Sequence, residues 1–225
     1  VPEWPGPMAS LAELLPSHHA NRYLASRGYD YMKLSTLFGF NYCFSSPLAM
    51  ARDRIVIPVY LDGKFRGWQA RYVDEQGNGS TDGLWFCPTC RIVPDYSGVK
   101  LKVCPSCGGE HVSEVLKYYS MPGMRTGENL FNFDVARQWP FGVLVEGPMD
   151  VTHVGSPLAA EEPGPAIGTF THHISDAQFR LIIEVWGRKP NGTVVLLYDN
   201  NAKAKDRIRY LASLPGVEIH LSHEV

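Results

Sequence analysis

Val143-Leu-Val-Glu-Gly-Pro-Met-Asp150 is a short aliphatic run that stops at a carboxylate followed by Gly and Pro. This is the pattern of a buried parallel strand giving way to a polar loop. Thr193-Val-Val-Leu-Leu-Tyr-Asp-Asn-Asn201 repeats it further along the chain. Two such strands in one sheet would deliver Glu146 and Asp199 to the same edge. In an open α/β sheet that carboxyl edge is where ligands bind, so two acids meeting there predict a site.

The flanking sequence alternates in the same sense. From Phe141 onward the pattern predicts strand 143–146, helix 148–155, strand 166–170, helix 175–186, strand 193–199, helix 202–214 and strand 217–221. Such βαβα order predicts a parallel sheet covered by helices on both faces. Ser175 reads as a helix cap and Asp176 suits the helix's positive end. His172 and His173 fall in the loop ahead of them, and 156–165 is a flexible connection.

Working back toward the amino terminus, Cys87-Pro-Thr-Cys90 and Cys104-Pro-Ser-Cys107-Gly-Gly form two C-x-x-C knuckles. At this separation Cys87, Cys90, Cys104 and Cys107 can close a tetrahedral thiolate shell around one Zn²⁺, with Gly108 and Gly109 permitting the bend. Iron or a redox pair is the alternative. With four thiolates in the shell no open position remains, so the zinc is structural. Cys43 lies outside the pattern and reads as a small buried hydrophobe. His111 is not needed as a ligand.

Ahead of the knuckles, Arg54-Ile-Val-Ile-Pro-Val-Tyr-Leu and Lys64-Phe-Arg-Gly-Trp-Gln-Ala-Arg-Tyr-Val flank Asp62-Gly63, a hairpin signal. Arg54, Lys64, Arg66 and Arg71 lie near Trp68 and Tyr72 on these strands. They form either a solvated sheet face or a shallow basic surface for phosphates and stacked bases. Residues 17–42 predict two short helices broken at Gly28, with His18 and His19 as solvated cap residues. Beyond the knuckles, Lys117-Tyr-Tyr-Ser reads as a short strand whose Lys117 snorkels or meets a phosphate. A Pro-Gly loop carrying Arg125 follows, with Leu130, Phe131 and Phe133 packing back.

The chain has 225 residues and a formal net charge of -2, enough for one substantial core or two small ones and without a global nucleic-acid signature. Contact with a polynucleotide would have to come from local basic patches. No apolar run approaches the roughly 20 residues that cross a bilayer. Paired cysteines suit a reducing compartment, and the Val1 start, neither a Met nor a secretory signal, suggests a processed chain or a fragment.

Taken together these residues resemble a known family. Val143 to Asp150 and Tyr198-Asp-Asn-Asn-Ala-Lys look like the two acidic motifs of a TOPRIM domain. Ala20-Asn-Arg-Tyr-Leu-Ala-Ser-Arg-Gly, Arg54-Ile-Val-Ile-Pro-Val with Gly67-Trp-Gln-Ala-Arg71, and Lys117-Tyr-Tyr-Ser-Met-Pro resemble, in the same order, the basic subdomain preceding TOPRIM in bacterial and phage primases. The implied organisation is a basic α+β subdomain at 1–83 and 112–140, an inserted zinc ribbon at 84–111, and an α/β TOPRIM domain at 141–225.

The resemblance implies RNA primer synthesis from NTPs on single-stranded DNA with Mg²⁺ or Mn²⁺, in a bacterial or phage-infected cytoplasm, with a replicative helicase as a possible further partner. By that analogy Glu146 is the catalytic acid or base, and Asp150, Asp199 and Asn201 help to hold the cation. Arg54, Arg71 and Lys117 fall on positions that touch phosphates, with Arg66 and Arg125 as further contacts. One departure bears on activity: the family's second acidic motif is Asp-x-Asp, and Asn201 stands at its second carboxylate. Mg²⁺ favours anionic oxygens, so this change weakens the cation site. A non-catalytic binding module, as in RecR-like proteins, and a metal-dependent nuclease are the alternatives.

Overall fold

The computed structural model describes residues 1–94, 100–158, 163–171, 174–189 and 192–197. Expectations for His172, His173, Asp199, Asn201, the helix at 202–214 and the strand at 217–221 lie outside the described residues. The chain divides into two compact units, one formed by Glu3–Ile57 and Trp68–Pro122 and the other by Pro58–Gly67 and Gly123 onward. Among the described residues no helix is long and apolar enough to cross a membrane.

The first unit starts with strand β1 (Met8–Ser10), followed by helices α1 (His19–Ser26) and α2 (Tyr31–Phe38). His18 caps α1, its Nδ1 accepting the Ala20 N–H at 3.3 Å, and the Asp30 carboxylate caps α2 through the Met32 and Lys33 N–H groups. Gly39, at φ 69°, closes α2 in the left-handed region. Strands β2 (Asn41–Cys43), β3 (Arg54–Leu61) and β4 (Lys64–Tyr72) come next. Then β5 (Leu84–Cys87), β6 (Arg91–Pro94) and β7 (Ser113–Glu114) make the ribbon, and β8 (Tyr118–Ser120) closes the unit.

A five-stranded sheet runs in the order β1-β2-β3-β4-β8, and the ribbon sheet is β6-β5-β7. Asp62 and Gly63 turn the β3–β4 hairpin with φ of 54° and 67°, the left-handed pair that Asp-Gly favours. Cys43 is fully buried, as expected.

In the second unit α3 (Phe133–Ala136) precedes β9 (Phe141–Val145), α4 (Pro148–Leu158), β10 (Ala166–Gly168), α5 (Asp176–Val185) and β11 (Thr193–Leu196). The sheet order is β10-β9-β11, all parallel, with Gly168 level with Val145 and Leu196 level with Leu144. Leu144, Ile167, Ile182, Trp186, Phe133 and Leu61 share one core. The fit is close at Gly142, where a methyl group would sit 3.1 Å from the Trp186 ring. The expected strand 166–170 ends at Gly168, and Phe170 turns away at φ 67°.

The tip of the β3–β4 hairpin is clamped within this second unit. The Asp134 carboxylate accepts the Asp62 and Gly63 N–H groups, each at 2.8 Å, and Arg137 bonds Asp62 at 2.7 Å. Asp134 sits in the first turn of a short helix with a left-handed Asn132 ahead of it, and no sequence pattern announced this clamp.

Candidate functional site

The chain passes from β9 to β10 on one side and then to β11 on the other, which makes the carboxyl end of β9 the topological switch point of the sheet. Glu146 is the first residue beyond that end, and after Gly147 the helix α4 opens at Pro148. The Gly147 N–H donates to Asp150 Oδ2 at 2.9 Å, so the exposed Asp150 caps the turn that carries Glu146. Both acids therefore stand at the positive end of α4.

Gly168 ends β10 against the same turn. A methyl there would meet the Gly147 carbonyl carbon at 3.1 Å. On the other side of β9 the Leu197 N–H donates to Leu144 O at 2.8 Å, and Asp199 follows outside the described residues. Glu146 and Asp150 are the two described carboxylates of this turn, and carboxylate oxygen is the donor type that Mg²⁺ and Mn²⁺ take, with water filling the remaining positions.

A second feature of this unit escaped the sequence reading. Gln178, 1 % exposed, donates through Nε2 to the carbonyls of Thr126 (3.1 Å), Asn129 (2.7 Å) and Thr169 (3.0 Å), while its Oε1 accepts the Ser175 N–H. Ser175 Oγ donates to Gly127 O. The start of α5 thus ties the 126–129 segment to the end of β10. The readable signal is the Ser175-x-x-Gln178 capping box. Arg125, at the head of this segment, is exposed and pairs with Glu128 at 2.9 Å.

Two of the basic residues of the first unit, Arg54 and Arg71, lie in its interior. Arg54 and Arg71 are 3 % and 4 % exposed and Trp68 is fully buried. Arg71 donates from Nε and Nη2 to the Tyr23 hydroxyl at 3.1 and 2.7 Å, its guanidinium 5.4 and 4.9 Å from the Tyr23 and Tyr118 ring centres. Among the described residues its Nη1 is buried without a hydrogen-bond partner. Trp68 Nε1 donates to Glu3 O at 2.9 Å, so its ring is committed to the core and cannot stack a base. Arg54 lies in a stretch of β3, and Arg71 in a stretch of β4, where successive residues are buried on both faces, so neither arginine lies on a solvated sheet face. Lys117 is exposed, with Tyr118 and Tyr119 half-buried behind it; Arg66 is half-buried on β4 in the second unit.

The four cysteine Sγ atoms of the ribbon lie within 4.8 Å of one another, and Cys87 and Cys107 are 3.6 Å apart. A tetrahedron with Zn–S bonds of about 2.3 Å has edges of about 3.8 Å, so the cluster fits zinc. Cys90 is pushed up to about 12 by its hydrogen bond to Cys107, burial and Cys104. Cys104 is opposed by desolvation but pulled down to about 6 by the Cys107 and Ser106 N–H groups. The ribbon joins the rest of its unit through an Arg91–Asp53 ion pair at 3.0 Å. That pair lines a cleft of about 500 Å³ with His19, Tyr42, Tyr72 and Glu75. His19 is half-buried, its Nε2 is 2.9 Å from the Tyr42 hydroxyl, and burial holds its pKa below the usual value.

No family profile and no curated protein matches the sequence. Solved structures do match the fold. The Aquifex aeolicus primase, comprising zinc-binding and RNA polymerase domains, aligns with a TM-score of 0.57 at 21 % identity over 93 % of this chain and 50 % of that one. A DnaG catalytic core aligns with a TM-score of 0.57 at 15 % identity over 93 % and 66 %. The RNA polymerase domain of Mycobacterium tuberculosis primase DnaG in complex with double-stranded DNA gives 0.54 at 14 % over 89 % and 63 %. The chain spans half to about two thirds of these primase chains. At these identities the likeness is one of architecture: the described chain has the fold of the bacterial primase catalytic core, with a four-cysteine cluster that fits zinc.

Proposed function

We propose that this chain is a primase-type nucleotidyl-transfer core that builds short RNA on a single-stranded DNA template from NTPs, with Mg²⁺ or Mn²⁺. The observation that carries this reading is Glu146 at the switch point of β9, in a fold shared with primase cores over 93 % of the chain. In this reading Glu146 takes the proton of the attacking 3′-hydroxyl as its oxygen bonds the α-phosphorus and pyrophosphate leaves. Asp150 and Gly147 hold the Glu146 turn in place, and Lys117 and Arg125 are the exposed cations that take phosphates. A divalent ion bound to these carboxylates, with Asp199 and Asn201, would neutralise charge on the attacking and leaving oxygens.

The organisation proposed with it is a basic subdomain at 1–83 and 112–140, a ribbon at 84–111 and a TOPRIM domain at 141–225, acting in the cytoplasm alongside a helicase or other replication protein. Asn201 favours a second reading, a polynucleotide-binding module without chemistry, because it removes one anionic oxygen from the cation site.

The test is incubation with single-stranded DNA, labelled NTPs and Mg²⁺ or Mn²⁺, beside Glu146→Gln. Short RNA lost in the variant supports the proposal. Retention of DNA without products supports the binding module, and shortened DNA means a nuclease.

A further inference from the structure

Arg54 opens β3 and Lys117 stands just ahead of β8, and one carbonyl joins them. Arg54 Nη1 donates to Leu116 O at 2.6 Å and to Ala70 O at 3.3 Å, and its guanidinium carbon lies 5.3 Å from the centre of the Tyr72 ring. Among the described residues no carboxylate pairs with Arg54. A cation out of water without a counter-ion is stable only where dipoles hold it, and here two carbonyls and a ring face do so. Burial pulls the group down to about 10, which leaves it charged at neutral pH. Both carbonyls are held through Nη1, and with the residue 3 % exposed the guanidinium offers little surface to a phosphate.

The segment it holds is the chain's return from the ribbon. The Val115 N–H donates to Leu84 O at 3.1 Å, Leu116 O accepts from Arg54, and Lys117 O accepts from the Tyr72 N–H at 3.0 Å. From there β8 pairs with β4, Tyr118 opposite Arg71. Three consecutive residues are thereby fixed by three different elements: the base of the ribbon, the Arg54 side chain and the end of β4. Lys117 itself is exposed.

We infer that Arg54 is a positioning residue for polynucleotide binding: it fixes the Leu116 carbonyl so that Lys117 is presented to phosphate, and does not itself touch the polynucleotide. This rests on the reading of Lys117 as a phosphate contact.

The test is a double-mutant cycle of Arg54→Met and Lys117→Met on the full chain. It reads affinity for an oligo-dT single strand against salt, and hydrogen exchange at the Tyr72 amide. A positioning role predicts that Arg54→Met raises Tyr72 exchange about tenfold or more. It also predicts that the double variant binds no more weakly than Lys117→Met alone, with no further loss of salt slope. Independent phosphate contacts predict additive losses and a slope lower by about 0.7 for each charge removed, which would overturn the inference. Unchanged Tyr72 exchange and affinity in Arg54→Met would overturn it too.

If Arg54→Met does not fold, Arg54→Gln, which keeps a donor without the charge, decides the same question. Wild-type affinity, or a loss that vanishes in the Lys117→Met background, supports positioning; an additive loss with a lowered slope refutes it. Failure of Lys117→Met to change affinity would remove Lys117 from the proposed function, while Tyr72 exchange in the Arg54 variant still decides whether Arg54 holds the segment.

Discussion

Gly168→Ala is the substitution whose cost follows most directly from the geometry of the β9 edge. The added methyl would lie 3.1 Å from Gly147 C, 3.2 Å from Gly147 O and 3.3 Å from Pro148 N. All three are backbone atoms, so no side chain can swing aside. β10 cannot easily retreat, because Gly168 also exchanges two backbone hydrogen bonds with Phe131, at 2.9 and 3.2 Å. Overpacking of this kind costs about 1–3 kcal/mol. In a chain of this length each kcal/mol lowers Tm by about 2–4 °C, so a cost of about 2 kcal/mol predicts a drop of about 4–8 °C. The displaced atoms belong to the turn that follows Glu146, and catalysis is sensitive to such shifts, so activity should fall as well. Calorimetry of wild type and Gly168→Ala measures the stability cost. Gly127→Ala is the control, because its methyl would approach Ser175 no closer than 3.6 Å. A Gly168→Ala protein melting within about 1 °C of wild type would refute the close-approach argument.

Three further outcomes are expected. Protein purified without chelator should carry about one zinc per chain, and stripping it should expose β5, β6 and β7 to exchange; a zinc content far below one would contradict the closed thiolate site. His18 and His19 are held below their ordinary 6.5, chiefly by burial. The unfolded chain therefore takes up protons that the folded one resists, so stability present above pH 6.5 is lost as pH falls below it. His19→Gln should flatten stability between about pH 7.5 and 5.5, and an unaltered profile would exclude His19 as a source. Asp134→Ala should cost about 1–2 kcal/mol in denaturant unfolding, since it removes two charge-assisted bonds to the hairpin amides; a change below about 0.3 kcal/mol would show that the clamp does not hold the turn.

What the sequence disclosed was local. A run such as 143–145 ending at Glu-Gly-Pro declares its own termination, and Asp62-Gly63 declares its own turn, because both depend on neighbours in the chain. The four cysteines declare their cluster because thiolate spacing is set by the metal. What stayed hidden was long-range. Arg71 finds its acceptor in Tyr23, on a helix that no motif links to β4. An arginine on a strand reads identically whether it faces water or two tyrosine rings, so burial of Arg54 and Arg71 had no signature. The Gln178 bonds to Thr126 and Asn129 and the Asp134 clamp on the hairpin likewise join segments far apart in the chain.

The most direct measurement of the central claim is extension of an RNA primer already annealed to a DNA template, which isolates nucleotidyl transfer from initiation. With NTPs and Mn²⁺ the wild-type chain should lengthen the primer, and Glu146→Gln should slow extension by at least about a hundredfold while retaining affinity for the template. Failure of the wild type to extend, or equal extension by both proteins, would contradict the account.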